Sequence, residues 1–195
     1  TGTPDEFDLK ETINATANNG GYLDVKMMPE RKNRIKLLLF LDVGGSMDPY
    51  ISACEELFSA SKSEFKDLEH FYFHNCPYEV LWKNNPRSAE DIISTWDVIR
   101  KYGSDYRVLF VGDASMSPYE IAYAGGSIEH WNEEAGALWL DRITSHFDSV
   151  AWLNPENKKI WNSSASNKMI REIFEEKMYE LNLSGIEEAM KTLSR

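Results

Sequence analysis

The stretch Ile35-Lys36-Leu37-Leu38-Leu39-Phe40-Leu41-Asp42-Val43-Gly44-Gly45-Ser46-Met47-Asp48 decides the fold. Its apolar part is too continuous for a half-exposed strand, and it predicts a strand that is buried on both faces of a sheet. The two glycines permit a tight turn, and Pro49 suits the first turn of a helix. In open α/β sheets, ligands bind at the carboxyl ends of such strands.

A second stretch repeats this order further along the chain. Residues 106–111 form an apolar run, after which come Gly112, Asp113 and two small residues, and Pro118 opens a helix. Because neighbouring parallel strands end at the same edge of a sheet, we expect Asp42 and Asp113 to point into one crevice.

The rest of the pattern alternates strands and helices. Strands are also predicted over residues 22–27, 71–74, 78–82 and 149–155, and helices over residues 49–65, 94–102, 135–147, 166–181 and 186–193. The order βαββαβαβα predicts an α/β fold with a mostly parallel central sheet, helices on both faces and one antiparallel edge strand. Residues 1–21 are polar and predict an N-terminal arm or linker, so the domain is expected to span residues 22–195.

Composition narrows the classes of partner. The 195 residues carry a net charge of −11, which disfavours nucleic acid and anionic membranes and favours a basic partner or a metal cation. No apolar run approaches the roughly 20 residues of a membrane-spanning helix. The two cysteines, Cys54 and Cys76, have no metal-binding spacing and predict buried free thiols in a cytoplasmic protein. Because the chain begins with Thr1 and its first methionine is Met27, we expect a fragment or a processed chain.

Oxygen donors surround the predicted crevice. Ser46 offers a hydroxyl from the loop after the first strand, and Thr95 offers another from the start of a helix. Mg²⁺ suits a site with a few carboxylate and hydroxyl ligands and open positions for water. Mn²⁺ or Ca²⁺ is compatible with the same ligands. Zinc is disfavoured because no histidines or cysteines stand at zinc-ligand spacing.

Simpler interpretations remain open for each of these residues. Asp42 and Ser46 fit a strand-end turn, and Thr95 fits a helix N-cap. Asp48 fits an acid at the start of a helix, and Glu120 is expected on a solvated face.

The segment Asp42-Val43-Gly44-Gly45-Ser46 resembles Asp-x-Ser-x-Ser, the metal-ion-dependent adhesion site of von Willebrand factor A (VWA) domains. In that family a later loop adds a Thr and a later strand ends in an Asp, and Thr95 and Asp113 match these roles. Residues 112–120 and 152–155 further resemble the bacterial CoxE-like branch. The resemblance extends from about Tyr22 to the end of the chain.

The resemblance implies a Rossmann-like VWA fold and a protein-interaction domain rather than an enzyme. It also implies that an acidic residue of a partner protein completes the coordination of the cation. For the CoxE-like branch, the implied partner is a MoxR-type AAA+ ATPase.

The sequence departs from the motif at one position. Gly44 stands where the family has its first Ser, so one hydroxyl ligand is missing, and a water or Asp48 is expected to compensate. Ser88 is an alternative to Thr95 as the later hydroxyl. The missing ligand also leaves a metal-free structural scaffold open as a function. A phosphoryl-transfer enzyme of the phosphoaspartate type is less favoured, because such enzymes have a second Asp where this chain has Gly44.

Overall fold

The structure is a computed structural model that describes residues 5–7, 15, 18–19, 24–29, 35–60 and 65–194. The chain divides into two units, residues 1–33 and residues 34–195. In the first unit, strands β1 (Asp5–Phe7) and β2 (Met27–Pro29) pair antiparallel. The boundary predicted after residue 21 stays a prediction, and within this first unit Met27 pairs with Phe7. Residues 22 and 23 of the predicted strand 22–27 lie outside the described residues.

The second unit is organised around a sheet that has seven strands in the described part of the chain, in the order β6-β5-β4-β3-β7-β8-β9. The predicted buried strand is its centre, and six of its seven residues are buried. The strands are β3 (Lys36–Asp42), β4 (Asp67–Phe73), β5 (Val80–Trp82), β6 (Ile92–Ser94), β7 (Arg107–Val111), β8 (Ser149–Asn154) and β9 (Met178–Glu180).

The predicted α/β fold class is confirmed. β3 pairs in parallel with β4 and β7, and β8 continues the parallel sheet beyond β7. Among the seven described strands, β5 alone runs in the opposite direction, and it pairs antiparallel with β4 on one side and with β6 on the other. β6, which therefore runs in the same direction as β4, occupies the edge that was predicted for β5. Its three residues are too few to show a periodic pattern in the sequence.

β9 is a correction to the predicted helix 166–181. That helix ends at Ile173, and both Glu175 and Glu176 adopt positive φ angles, 50° and 64°. Two residues in the left-handed region cannot continue a right-handed helix, so the chain turns and adds β9 in parallel to β8.

Helices cover both faces of the sheet. Phe40 of β3 belongs to the core on one face and Leu39 to the core on the other, as alternation along a doubly buried strand requires. Within the described residues, no helix is long and apolar enough to cross a membrane. The helices are α1 (Asp48–Ala60), α2 (Thr95–Lys101), α3 (Pro118–Ala122), α4 (Gly136–His146), α5 (Lys158–Trp161), α6 (Ala165–Ile173) and α7 (Leu183–Leu193).

Phe110 is the aromatic centre of the first core, and its replacement tests the packing. Its ring stacks on Phe40 at 4.7 Å and on Trp152 at 5.3 Å between ring centroids. Because Phe110→Ala leaves a cavity between these rings, we expect it to lower the free energy of unfolding by about 3–5 kcal/mol in urea denaturation. Leu183→Ala is the control, since Leu183 is 84% exposed, and it is expected to change stability by less than about 0.5 kcal/mol. A Phe110→Ala loss no larger than that of the control would contradict this description of the core.

Candidate metal centre

Asp42 lies at the carboxyl end of β3 with only 2% of its surface exposed. Its Oδ1 accepts a hydrogen bond of 2.8 Å from the backbone N–H of Asn75. Asn75 follows β4 and has a φ of 58°, a conformation that non-glycine residues rarely adopt and that recurs at functional sites. One carboxylate oxygen of Asp42 is therefore oriented by the neighbouring strand end.

Asp113 is held in the same way at the end of the next strand. It is buried, and its Oδ1 accepts a hydrogen bond of 2.8 Å from the backbone N–H of Ser115. The intervening Ala114 has a φ of 53°, again in the left-handed region. Each aspartate thus has its Oδ1 bound to a backbone N–H.

Ser46 joins the two strand ends. It lies in the short 3₁₀ turn Gly45–Met47 after β3, and its hydroxyl donates a hydrogen bond to Oδ2 of Asp113. The structure therefore brings Asp42, Ser46 and Asp113 to one edge of the sheet, as the sequence predicts.

Gly112 permits the close approach of β3 and β7 at this edge. A Cβ at Gly112 would lie 2.9 Å from the Asp42 Cβ, 3.1 Å from the Asp42 Oδ2 and 3.0 Å from the Trp152 ring. The Trp152 indole N–H also donates to the Gly112 carbonyl at 2.7 Å. The absence of a side chain at Gly112 thus leaves room for the Asp42 carboxylate.

A buried polar network fixes the backbone after Asp113. The Asn154 amide donates to the Asp113 carbonyl at 2.9 Å, and the Ser166 hydroxyl donates to the Ala114 carbonyl at 2.7 Å. Asn167 donates to the same Ala114 carbonyl at 3.3 Å. Through these bonds, the start of α6 holds the strand end in its left-handed conformation.

The electrostatics of the centre are unfavourable to the charged state of Asp42. Burial raises the pKa of Asp42 well above its usual range, and the negative charges of Asp113 and Glu120 raise it further, while the backbone N–H of Asn75 opposes the rise. In the described part of the chain, no Lys or Arg side chain forms an ion pair with any of these three carboxylates. A cation at this edge would relieve the repulsion.

Glu120 corrects the expectation of a solvated side chain. It is only 2% exposed, and the Asn75 side-chain amide donates to both of its carboxylate oxygens at 3.1 Å. Ser117 and Glu120 also form a capping box at the start of α3. The sequence signal that can locate Glu120 is this Ser-x-x-Glu spacing after Asp113. Asn75 thus connects the two carboxylates, because its backbone N–H binds Asp42 and its side-chain amide binds Glu120.

The remaining predicted donors are not joined to this group. Thr95 is fully buried at the start of α2, and its hydroxyl donates to the Tyr78 carbonyl at 2.5 Å. Asp48 is exposed at the start of α1. The alternative donor Ser88 is exposed and donates to Asp91 at 2.6 Å. Among the described residues, no hydrogen bond connects these three side chains to Asp42, Ser46 or Asp113.

A group of charged side chains beside Gly44 has no counterpart in the sequence prediction. Gly44 has a φ of 92°, and a Cβ there would lie 3.3 Å from Nδ1 of His74 and 3.7 Å from Nη2 of Arg87. Arg87 in turn binds Glu129 through both of its terminal nitrogens. No sequence signal finds this group, because its members come from three separate loops.

The donor set of the centre fits a hard cation. Asp42, Asp113 and Ser46 supply only oxygen atoms, and two carboxylates with a hydroxyl leave room for the several waters that Mg²⁺ retains. Within residues 35–60 and 65–194, no group of three or more His, Cys, Asp or Glu side chains has a metal-binding arrangement, so a cage made of protein side chains alone is not formed.

Comparison with known families agrees with the fold. Residues 2–80 match the family model described as VWA domain containing CoxE-like protein. This match covers 79 of the 195 residues, and it makes that part of the chain similar to VWA domains of the CoxE-like branch. The matched segment contains Asp42 and Ser46 of the VWA motif and ends before Thr95 and Asp113. No curated protein and no solved structure matches the chain.

The raised pKa of Asp42 predicts that the stability of the metal-free protein depends on pH. Between the unfolded pKa of about 3.9 and the higher folded pKa, the folded state binds more protons, so stability falls as pH rises through this window. Because Asp42→Asn removes the buried charge and keeps an oxygen for the Asn75 N–H, we expect it to raise the free energy of unfolding at pH 7 by about 1–3 kcal/mol. Urea denaturation in EDTA at pH 7 and pH 4 measures this, and the gain should shrink at pH 4.

Asp105→Asn is the matched control for this measurement. Asp105 is exposed, and its hydrogen bond to Lys36 lowers its pKa, the opposite direction to Asp42. Asp105→Asn is therefore not expected to raise stability at pH 7. Equal stability of the wild type and Asp42→Asn at both pH values would contradict the description of Asp42 as a strained buried carboxylate.

Proposed function

We propose that this VWA domain is a protein-interaction module that holds one divalent cation, Mg²⁺ in the cell, and binds an acidic side chain of its partner through that cation. VWA domains are in general protein-interaction modules. The observation that carries the proposal is the pair of buried carboxylates, Asp42 and Asp113, that face each other without a basic partner among the described residues.

Each residue has a defined part in this proposal. Asp42 and Asp113 bind the cation through their Oδ2 atoms, because each Oδ1 is already bound to a backbone N–H. Ser46 turns its hydroxyl from Asp113 to the cation. Thr95 and Asp48 act through water, since the Thr95 hydroxyl donates to Tyr78 and Asp48 is exposed. The bound cation supplies a positive charge that attracts a carboxylate of the partner.

A MoxR-type AAA+ ATPase is the proposed partner, and the cytoplasm is the proposed location. The CoxE-like family match supports this partner, and the two buried free cysteines, Cys54 and Cys76, support the cytoplasmic location.

The domain is proposed to act without catalysis of its own, because the position two residues after Asp42 is Gly44 and offers no general acid. The alternative is a metal-free scaffold, and the observation that favours it is again Gly44.

Titration with Mn²⁺, followed by electron paramagnetic resonance, tests the cation site. We expect the wild type to bind one Mn²⁺ that Mg²⁺ displaces. Asp113→Asn should weaken binding by about 100-fold, and Ser46→Ala by about tenfold. Asp141→Asn, which alters an exposed aspartate of α4, is the control and should bind as the wild type does. Absence of binding by the wild type, even with acetate present, would favour the scaffold.

The same variants test the partner. We expect a MoxR-type ATPase to bind the immobilised domain in Mg²⁺ and to lose binding in EDTA. Asp113→Asn should reproduce the EDTA result, whereas Asp141→Asn should not. Equal binding in Mg²⁺ and EDTA would contradict a role for the cation in partner binding.

Gly44→Ser introduces the serine that the VWA motif has at this position, and we predict that it does not increase Mn²⁺ affinity. The φ of 92° strains any residue with a Cβ, and that Cβ would contact His74 at 3.3 Å. We expect Gly44→Ser and the matched variant Gly44→Ala to lower the free energy of unfolding by about 1–3 kcal/mol each. Their Mn²⁺ affinities should be equal. Tighter Mn²⁺ binding by Gly44→Ser alone would show that the serine position is still usable.

A further inference from the structure

We propose that Arg87 and His74 form a carboxylate-binding site beside Gly44, that Glu129 occupies it in the free protein, and that an acidic side chain of a partner displaces Glu129. The partner segment would then carry two acidic side chains, one for the cation and one for Arg87. The two-acid partner rests on the proposed function, whereas the Arg87 site is testable without any metal.

The geometry at Arg87 is that of a bound carboxylate. Its Nη1 donates to Oε2 of Glu129 at 2.5 Å and its Nη2 donates to Oε1 at 3.1 Å, the two parallel bonds by which arginine recognises carboxylates. The guanidinium lies over the Trp82 ring at 5.4 Å, which holds the donor fork in place.

His74 forms the second wall of this site. Its Nδ1 lies 2.6 Å from the Val43 carbonyl, which fixes the ring, and its Nε2 lies 3.5 Å from Oε1 of Glu129. The missing side chain of Gly44 makes this arrangement possible, since a Cβ would press on the His74 ring. The position at which the VWA motif has a serine therefore adjoins an arginine and a histidine that face a carboxylate.

Glu129 is a replaceable occupant. Its side chain is 35% exposed and that of Arg87 is 24% exposed, and partly exposed ion pairs contribute little stability. The loop that carries Glu129 is held by a different residue, the fully buried Asn132, which bonds the Ser127 N–H at 2.9 Å and the Glu134 carbonyl at 2.8 Å. Loss of the Glu129 contact therefore leaves the loop in place.

The surroundings of Glu129 suit a protein partner. Ile128 and Trp131 flank it in the same loop, with 72% and 77% of their surfaces exposed. Large apolar side chains at the margin of a charged site are typical of protein interfaces. A partner that displaces Glu129 can cover them.

A second ion pair of the same geometry supplies the matched control. Arg142 binds Glu134 at 2.5 Å and 2.7 Å, with side chains that are 26% and 37% exposed. Arg142 lies over Trp96 and Trp139, and neither His74 nor Gly44 adjoins it. Because the two ion pairs differ in their surroundings, comparing Glu129→Gln with Glu134→Gln shows whether peptide binding needs the Arg87 site or only an arginine that has lost its glutamate.

The experiment measures binding of a capped Gly-Asp-Gly peptide by NMR in EDTA, with capped Gly-Asn-Gly as the neutral probe. Because Glu129 competes as an intramolecular ligand, we expect Glu129→Gln to bind the acidic peptide at least fivefold more tightly than the wild type. The shifts should centre on Arg87 and His74. Arg87→Gln in the Glu129→Gln background should abolish the gain, and the neutral peptide should not bind.

Three outcomes would overturn the proposal. They are an equal gain in Glu134→Gln, retained binding in the Arg87→Gln and Glu129→Gln double variant, and equal binding of the two peptides. Mn²⁺ titration of Glu129→Gln separates this inference from the proposed function. If Glu129→Gln binds Mn²⁺ normally but does not bind the acidic peptide, the Arg87 site is refuted and the cation site is not. If it binds the peptide but not Mn²⁺, the cation site is refuted and the Arg87 site is not.

Discussion

The constraint on which this edge of the molecule depends is the burial of two like charges side by side. Asp42 ends β3, Asp113 follows the adjacent parallel strand β7, and both side chains are buried. Desolvation and the negative charge of Asp113 each raise the pKa of Asp42, so the folded chain has to hold the Asp42 carboxylate against a free-energy penalty. Two strained residues, Asn75 and Ala114, supply the compensation, because their left-handed backbones turn N–H groups toward the Oδ1 atoms. Strain at two non-glycine positions is retained in a fold when the surroundings fix it and when the site has a use for it.

Those surroundings come from two helices, α3 and α6, that pack on the same face of the sheet. On the side of α6, Asn154 and Ser166 bind the carbonyls of Asp113 and Ala114, so a helix terminus fixes the strand end. On the side of α3, Glu120 binds the Asn75 side chain and brings a third buried carboxylate toward Asp42. Removal of any of these contacts would release a strained residue, and the aspartate that it orients would lose its direction. The charged edge and the apolar core are therefore coupled through backbone conformation.

The sequence predicts the parts of the site that depend on local patterns. Asp42 ends one apolar strand, Ser46 lies in the turn after it, and Asp113 comes just after the neighbouring apolar strand. Parallel pairing brings such strand ends together without further information. Thr95 reaches the same edge of the sheet, yet the hydrogen bond to Tyr78 that engages its hydroxyl comes from a chain position 17 residues away. The group of His74, Arg87 and Glu129 depends on contacts between separate loops, which no periodicity records, whereas Glu120 is marked only by its capping-box spacing from Ser117. The sequence does not predict β6 and β9 for another reason. Each strand has only three residues, too few to show a periodic pattern, and pairing with a neighbouring strand decides that they are extended.

Gly44 lies beside both the proposed cation site and the proposed Arg87 site, and its lack of a side chain bears on both. A serine in the ordinary region of backbone space would offer the cation a hydroxyl, but its Cβ would occupy the space into which the His74 ring packs. With glycine, the loop adopts a φ of 92°, His74 packs against it, and Arg87 lies within 4 Å of the vacant Cβ position. A fixed positive charge close to a cation weakens cation binding unless a carboxylate neutralises it, and Glu129 performs that neutralisation. Where the VWA motif has a serine, this chain therefore has a glycine beside a guanidinium that is paired with a carboxylate. A partner that brings its own carboxylate to Arg87 preserves the neutrality that Glu129 provides, so cation binding and partner binding need not oppose each other.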